Sequence, residues 1–76
     1  MKQADKLNVT ITHLERLHNS VNGNPRFRIT FDDGSTHLLS SDASLGYCIT
    51  NTEYRGALNV WLTKAGRVSY ATPVAA

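Results

Sequence analysis

The sequence predicts a β-rich domain of the α+β class, a small five-stranded antiparallel barrel or roll with one short helix between strands three and four. Three observations carry this expectation. Apolar and polar residues alternate in several short segments, the period of a strand with one buried face. Turn-forming Gly, Asn, Asp and Pro residues punctuate those segments. Only one stretch, Ser41 to Ile49, repeats its apolar residues at helical spacing.

The first strand begins where Leu7, Val9 and Ile11 alternate with Asn8, Thr10 and Thr12. The apolar positions then change phase to Leu14 and Leu17. A β-bulge near His13 explains the change and lets one long strand continue; a short helical turn over residues 13–18 is the alternative. Asn19 to Pro25 reads as a loop, with Asn22-Gly23 as its turn. The second strand follows, with Phe27, Ile29 and Phe31 alternating with Arg26, Arg28 and Thr30. Asp33-Gly34 fits a two-residue hairpin turn. With that turn Ile29 faces Leu38, and Arg28 and Thr30 face Leu39 and His37. The buried face is then Phe27, Ile29, Phe31 and Leu38, and Arg26, Arg28 and His37 share the other.

Ser41 is the expected helix N-cap, and Asp42 complements the positive helix N-terminus. Leu45, Cys48 and Ile49 form the apolar side, so Cys48 is expected to be buried. Gly46 weakens such a helix by about 1 kcal/mol relative to Ala. The terminal hairpin is the clearest element. Leu58, Val60 and Leu62 alternate with Asn59, Trp61 and Thr63, and Val68 and Tyr70 alternate with Arg67 and Ser69. A three-residue loop, Lys64-Ala65-Gly66, places Leu62 opposite Val68 and Val60 opposite Tyr70. That register sends Trp61 to the second face, beside Arg67 and Ser69. Pro73 ends the last strand. The element order suits OB-like barrels, which carry a helix between strands three and four; an SH3-like barrel or an open sheet with one packed helix accommodates it too.

The 76 residues suffice for one domain, 1–76, with residues 1–6 and 73–76 as loose termini. A domain of this size buries only about 60% of its unfolded surface, so oligomerisation is an expected source of stability. The single Cys48 excludes an internal disulfide, and His13, His18, His37 and Cys48 match no zinc spacing. No metal or cofactor is expected. No apolar run has membrane-spanning length, and no apolar segment of a signal peptide follows Met1–Lys6, which predicts a cytoplasmic protein.

Catalytic constellations are absent from the sequence, and the expectation is a protein that is not an enzyme. Cys48 lies on an apolar face with no base ordered around it. Asp32-Asp33 occupies a hairpin tip, where Asp serves the turn. The sequon at Asn8 matters only in a secreted protein. Binding is the better-supported class. Trp61 with Arg67 is a candidate recognition spot, because Trp and Arg dominate interface energetics. Arg26, Arg28 and His37 are candidate nucleic-acid contacts. The eight Lys and Arg residues against six Asp and Glu give a net charge of +2 and are dispersed along the chain. That dispersion favours a protein partner over nucleic acid.

The stretches RFRITFDDGST, SDASLGYCITN and LTKAGRV resemble those of small accessory proteins of bacteriophages that infect actinobacteria. The resemblance covers about half of the chain and implies no catalytic residue. It implies a viral protein in the host cytoplasm, of a kind some of whose members bind and inhibit host proteins. The combined expectation is a non-enzymatic module acting by protein–protein contact, and the alternative is an OB-like, non-specific nucleic-acid binder.

Overall fold

A computed structural model of the chain describes residues 3–19, 21, 23–41 and 43–74. Five strands form one antiparallel sheet: β1 (Lys6–Arg16), β2 (Phe27–Phe31), β3 (Thr36–Leu38), β4 (Ala57–Leu62) and β5 (Val68–Pro73). Their spatial order is β3-β2-β1-β4-β5. β1 is central and shared, its first half pairing with β4 and its second half with β2.

β1 can serve two partners because it is bent by two irregularities. Ile11 pairs with Phe31 but His13 pairs with Thr30, so Thr12 is the extra residue of a bulge. This agrees with the bulge read from the phase change near His13. A second irregularity lies between the Lys6–Val60 and Val9–Leu58 pairs. There Asn8 takes φ 55°, a left-handed conformation that Asn tolerates better than most side chains. Bulges concentrate twist and bend a strand, and these two curl the sheet around its inner face.

That face is the core. Ile29, Leu39, Leu58 and Val60 are fully buried, with Phe27, Phe31, Val68, Ala71 and Val9 beside them. Leu45 and Ile49 cover them from the connection between β3 and β4. In place of the expected helix, that connection contains two short 3-10 turns, Ser44–Tyr47 and Thr52–Tyr54. The cap residue is Ala43, without a side-chain cap, rather than Ser41. Asp42 lies outside the described residues, as does Asn22 of the expected Asn22-Gly23 turn. Gly46, in the first of these 3-10 turns, is tightly packed. An added Cβ there would overlap the Pro25 carbonyl oxygen and press on Leu39. The backbone of the turn is held against the β1–β2 loop too closely for a side chain.

Both hairpins close with the same loop chemistry. Thr63 N–H donates to the Arg67 carbonyl at 2.8 Å, and Phe31 N–H donates to the Ser35 carbonyl at 2.9 Å. The loops are therefore Lys64-Ala65-Gly66, as expected, and Asp32-Asp33-Gly34, one residue longer than expected. Each has its only positive φ at the third position, Gly66 (78°) and Gly34 (86°). A two-residue type I′ turn would need positive φ at Asp33 as well, a conformation Asp33 does not adopt. The extra loop residue moves the β2–β3 register by one. Ile29 faces His37 and Arg28 faces Leu38, so Leu38 is only half-buried and Leu39 fills the core position instead.

The sheet does not close. Its two edges touch at one parallel bridge, Leu39 with Val68, where Ser40 N–H donates to the Val68 carbonyl at 2.8 Å. Asp5 and Lys6, expected in the loose terminus, are tied to the sheet. Asp5 N–H donates to Val60, and its carboxylate accepts from Leu62 N–H at 2.7 Å. Lys6 is already the first residue of β1.

Candidate functional site

The β4–β5 hairpin carries the candidate surface, and a bulge shapes it. Leu62 pairs with Val68, but Trp61 pairs with Tyr70 and Val60 with Ala71. Ser69 is thus an extra residue on β5. The expected Val60–Tyr70 pair does not form, because the bulge shifts every residue after Ser69 by one. Ala71, small and 2% exposed, packs opposite Val60, while Tyr70 leaves the core side and is 55% exposed. The Ser69 hydroxyl donates to the Trp61 carbonyl at 3.1 Å and holds the bulge in place.

Tyr70 then meets Trp61. Their ring centroids are 5.6 Å apart at an interplanar angle of 46°, inside the range of favourable tilted aromatic pairs. Trp61 is half-buried. It does lie off the main core face, as the alternation required, but Tyr70 covers part of its ring. Arg67 sits on the same hairpin, next to the turn glycine, with its N–H donating to Thr63 Oγ1 at 3.2 Å. Leu7, adjacent to the Lys6–Val60 pair of the neighbouring strand, is 52% exposed.

The other expected site residues do not form one group. Arg28 pairs with Glu15 across the β1–β2 ladder at 2.6 Å. Arg26 lies at the loop end of the same ladder, where its carbonyl accepts from Leu17 N–H at 3.0 Å. Its Nε is buried without a hydrogen-bond partner. His37, expected beside these arginines, lies on the opposite face, opposite Ile29. The one-residue change in hairpin register is the cause. His37 instead stacks obliquely on Phe31, with centroids 5.9 Å apart, and its Nδ1 lies 2.8 Å from the Gly66 carbonyl. Since a carbonyl only accepts, Nδ1 carries the proton.

Asp33 and Tyr54 are displaced from their ordinary range. Lys6 Nζ lies 2.7 Å from Asp33 Oδ2, and the Ser35 hydroxyl and N–H both donate to Oδ1. These hydrogen bonds, that of Lys6 foremost, hold the Asp33 carboxyl well below its ordinary value. Burial pushes the Tyr54 phenol up to about 12, aided by its contact with Cys48. Cys48 is half-buried rather than buried, and its Sγ lies 3.5 Å from the Leu45 carbonyl oxygen and 3.7 Å from the Tyr54 hydroxyl.

Tyr70 is the residue that alternation alone misplaces. The signal that locates it is the three-residue spacing of Val68 and Ala71, the same spacing that Ile11 and Leu14 show across the Thr12 bulge. Among the described residues, no helix is long and apolar enough to cross a membrane, and no group of three or more His, Cys, Asp or Glu is placed to hold a metal ion. No protein-family model, curated protein or solved structure matches the chain.

Proposed function

We propose that this chain is a non-enzymatic binding module that acts by protein–protein contact through the β4–β5 hairpin, as a phage factor that modulates a host protein. The observation that supports this most directly is the Trp61–Tyr70 pair with Tyr70 half exposed. A half-buried Trp, an exposed Tyr and an Arg on one hairpin have the composition of an interface hot spot. A second copy of the chain is the alternative occupant, and a homo-oligomer would use the same surface.

A second reading keeps the OB-like barrel and a non-specific nucleic-acid function. The parallel Leu39–Val68 bridge supports it, because it joins the two edge strands of the β3-β2-β1-β4-β5 order. Charge speaks against it. Arg28 is already paired with Glu15, and His37 faces inward. Few phosphate contacts remain available, and few contacts give weak binding with a shallow salt dependence.

The test is affinity capture from host lysate, with and without nuclease, alongside sedimentation of the purified chain. Trp61→Ala and Tyr70→Ala are each compared with the parent. Loss of the captured protein or of self-association by about 30-fold in affinity, the effect of a hot spot worth about 2 kcal/mol, with folding retained, supports the module. Capture abolished by nuclease, or sub-micromolar binding to single strands at physiological salt, replaces it with the nucleic-acid reading.

A further inference from the structure

Beside the β1 bulge the inner face of the sheet is incompletely covered. Ile11 and Leu14 point inward with Phe31 and Ile29, their register partners. Yet both are only half-buried, while Phe31 and Ile29 are 2% and 0% exposed. The cause is the connection between β3 and β4. A regular helix would lay a continuous side over these residues, but two short 3-10 turns do not. Ile49 reaches the core, and the chain then bows outward before Tyr54 returns. A cleft of about 350 Å³ remains between β1 and this connection, within the size range of small-molecule sites.

The lining has a definite chemistry. Ile11, Leu14 and Ile49 make an apolar floor. Thr12, His13, Thr50 and Tyr54 complete the lining, and the Thr12 hydroxyl already donates to the Thr30 carbonyl at 3.2 Å. Arg55 brings the one permanent charge, and no Asp or Glu is among the described residues of the lining.

We propose that this cleft binds a small apolar acid, a ring or short chain carrying one anionic group, with the apolar part on Ile11, Leu14 and Ile49 and the anion at Arg55. The site lies on β1 and the β3–β4 connection, and it does not depend on the hairpin surface described above. Apolar contact supplies affinity, because the floor is core surface left in contact with water. The guanidinium supplies selection for the acid over its neutral analogue, since Arg pairs with carboxylates through two parallel donors.

Titration of the isotopically labelled protein with indole-3-acetate, followed by amide chemical shifts, tests the assignment. Saturable shifts confined to residues 11–14 and 49–55 are expected. The neutral analogue 3-methylindole should bind about fivefold more weakly, and Arg55→Gln should erase that difference, the scale of one solvent-accessible ion pair. Thr50→Trp, at an exposed position of the lining, should block the cleft and abolish the shifts while the rest of the spectrum stays dispersed. Shifts scattered over the surface, or none at millimolar acid, overturn the site. Equal affinity for acid and neutral analogue, or an unchanged preference in Arg55→Gln, overturns the assignment of an anion at Arg55.

Discussion

His37 and Gly66, 29 residues apart, are joined by a 2.8 Å hydrogen bond that ties the β2–β3 hairpin to the tip of the β4–β5 hairpin. This contact and the Leu39–Val68 bridge are where the two edges of the open sheet meet. His37→Ala should therefore cost about 1–2 kcal/mol, one hydrogen bond plus the ring contact with Phe31. Urea unfolding measures the loss. Amide exchange at Ser40, whose N–H bonds to Val68, should accelerate more than exchange in the β1–β2 ladder. An unchanged urea midpoint would mean the two hairpins hold together without this contact.

The Ser69 bulge makes opposite predictions for two neighbouring residues. Ala71 is 2% exposed against Val60, so Ala71→Leu should overpack the core and cost about 1–3 kcal/mol. Tyr70→Leu, at a half-exposed position, should cost about 1 kcal/mol or less, the aromatic pairing with Trp61. Without the bulge the order would reverse, because Tyr70 would be the inward residue. Thermal or urea unfolding of the two variants decides between the registers.

Gly46 should tolerate no side chain. Gly46→Ala forces a Cβ into the Pro25 carbonyl, a backbone atom that cannot rotate away. A loss of about 1–3 kcal/mol is expected for such overpacking. Gly56→Ala is the control, since a Cβ there meets nothing within 4 Å and Gly56 has no positive φ. That control should change stability by no more than about 1 kcal/mol and in the stabilising direction.

Acid should weaken the fold through Asp33. Its folded pKa is depressed by Lys6 and Ser35 from an ordinary value of 3.8. A depressed carboxyl contributes stability that is fully present above the unfolded value and is lost as pH falls through the folded one. Asp33→Asn should flatten the stability profile below about pH 4. The effect should shrink in high salt, because the ion pair is solvent-accessible. A profile as steep in the variant as in the parent would assign the acid sensitivity elsewhere.

Alkali should act on Tyr54. Its folded pKa is raised to about 12 from 10.0 by burial and by the Cys48 contact. A raised pKa contributes stability that is present below the unfolded value and lost as pH rises through the folded one. One phenol in the native protein should thus ionise near 12 in an absorbance titration. Tyr54→Phe should remove that step and reduce the loss of stability between about pH 10 and 12.

Local pattern was enough to predict five strands, a bulge near His13 in β1, the Lys64-Ala65-Gly66 loop, and the placement of Trp61 off the core face. Each of these follows from side-chain alternation or from glycine geometry, which act over a few residues. The Ser69 bulge was written in the same language, since Val68 and Ala71 stand three apart on a strand whose period is two. The irregularity at Asn8 was not, because Leu7 keeps the alternation with Val9 yet is turned outward. Tertiary structure decided what no local pattern carries. The β2–β3 loop length moved His37 to the inner face and Leu39 into the core, because a one-residue change in register exchanges the two faces of a strand. The helical pattern at Leu45–Ile49 folded instead as a 3-10 turn, with Gly46 packed against the Pro25 carbonyl some twenty residues upstream. Tyr70 could not be paired with Trp61 until Ala71 was known to face Val60, since only packing chooses which strand absorbs an extra residue. The Arg55 cleft exists for the same reason: the connection that should have covered Ile11 and Leu14 is shaped by where it is anchored, at Gly46 and Ile49, and not by its own periodicity.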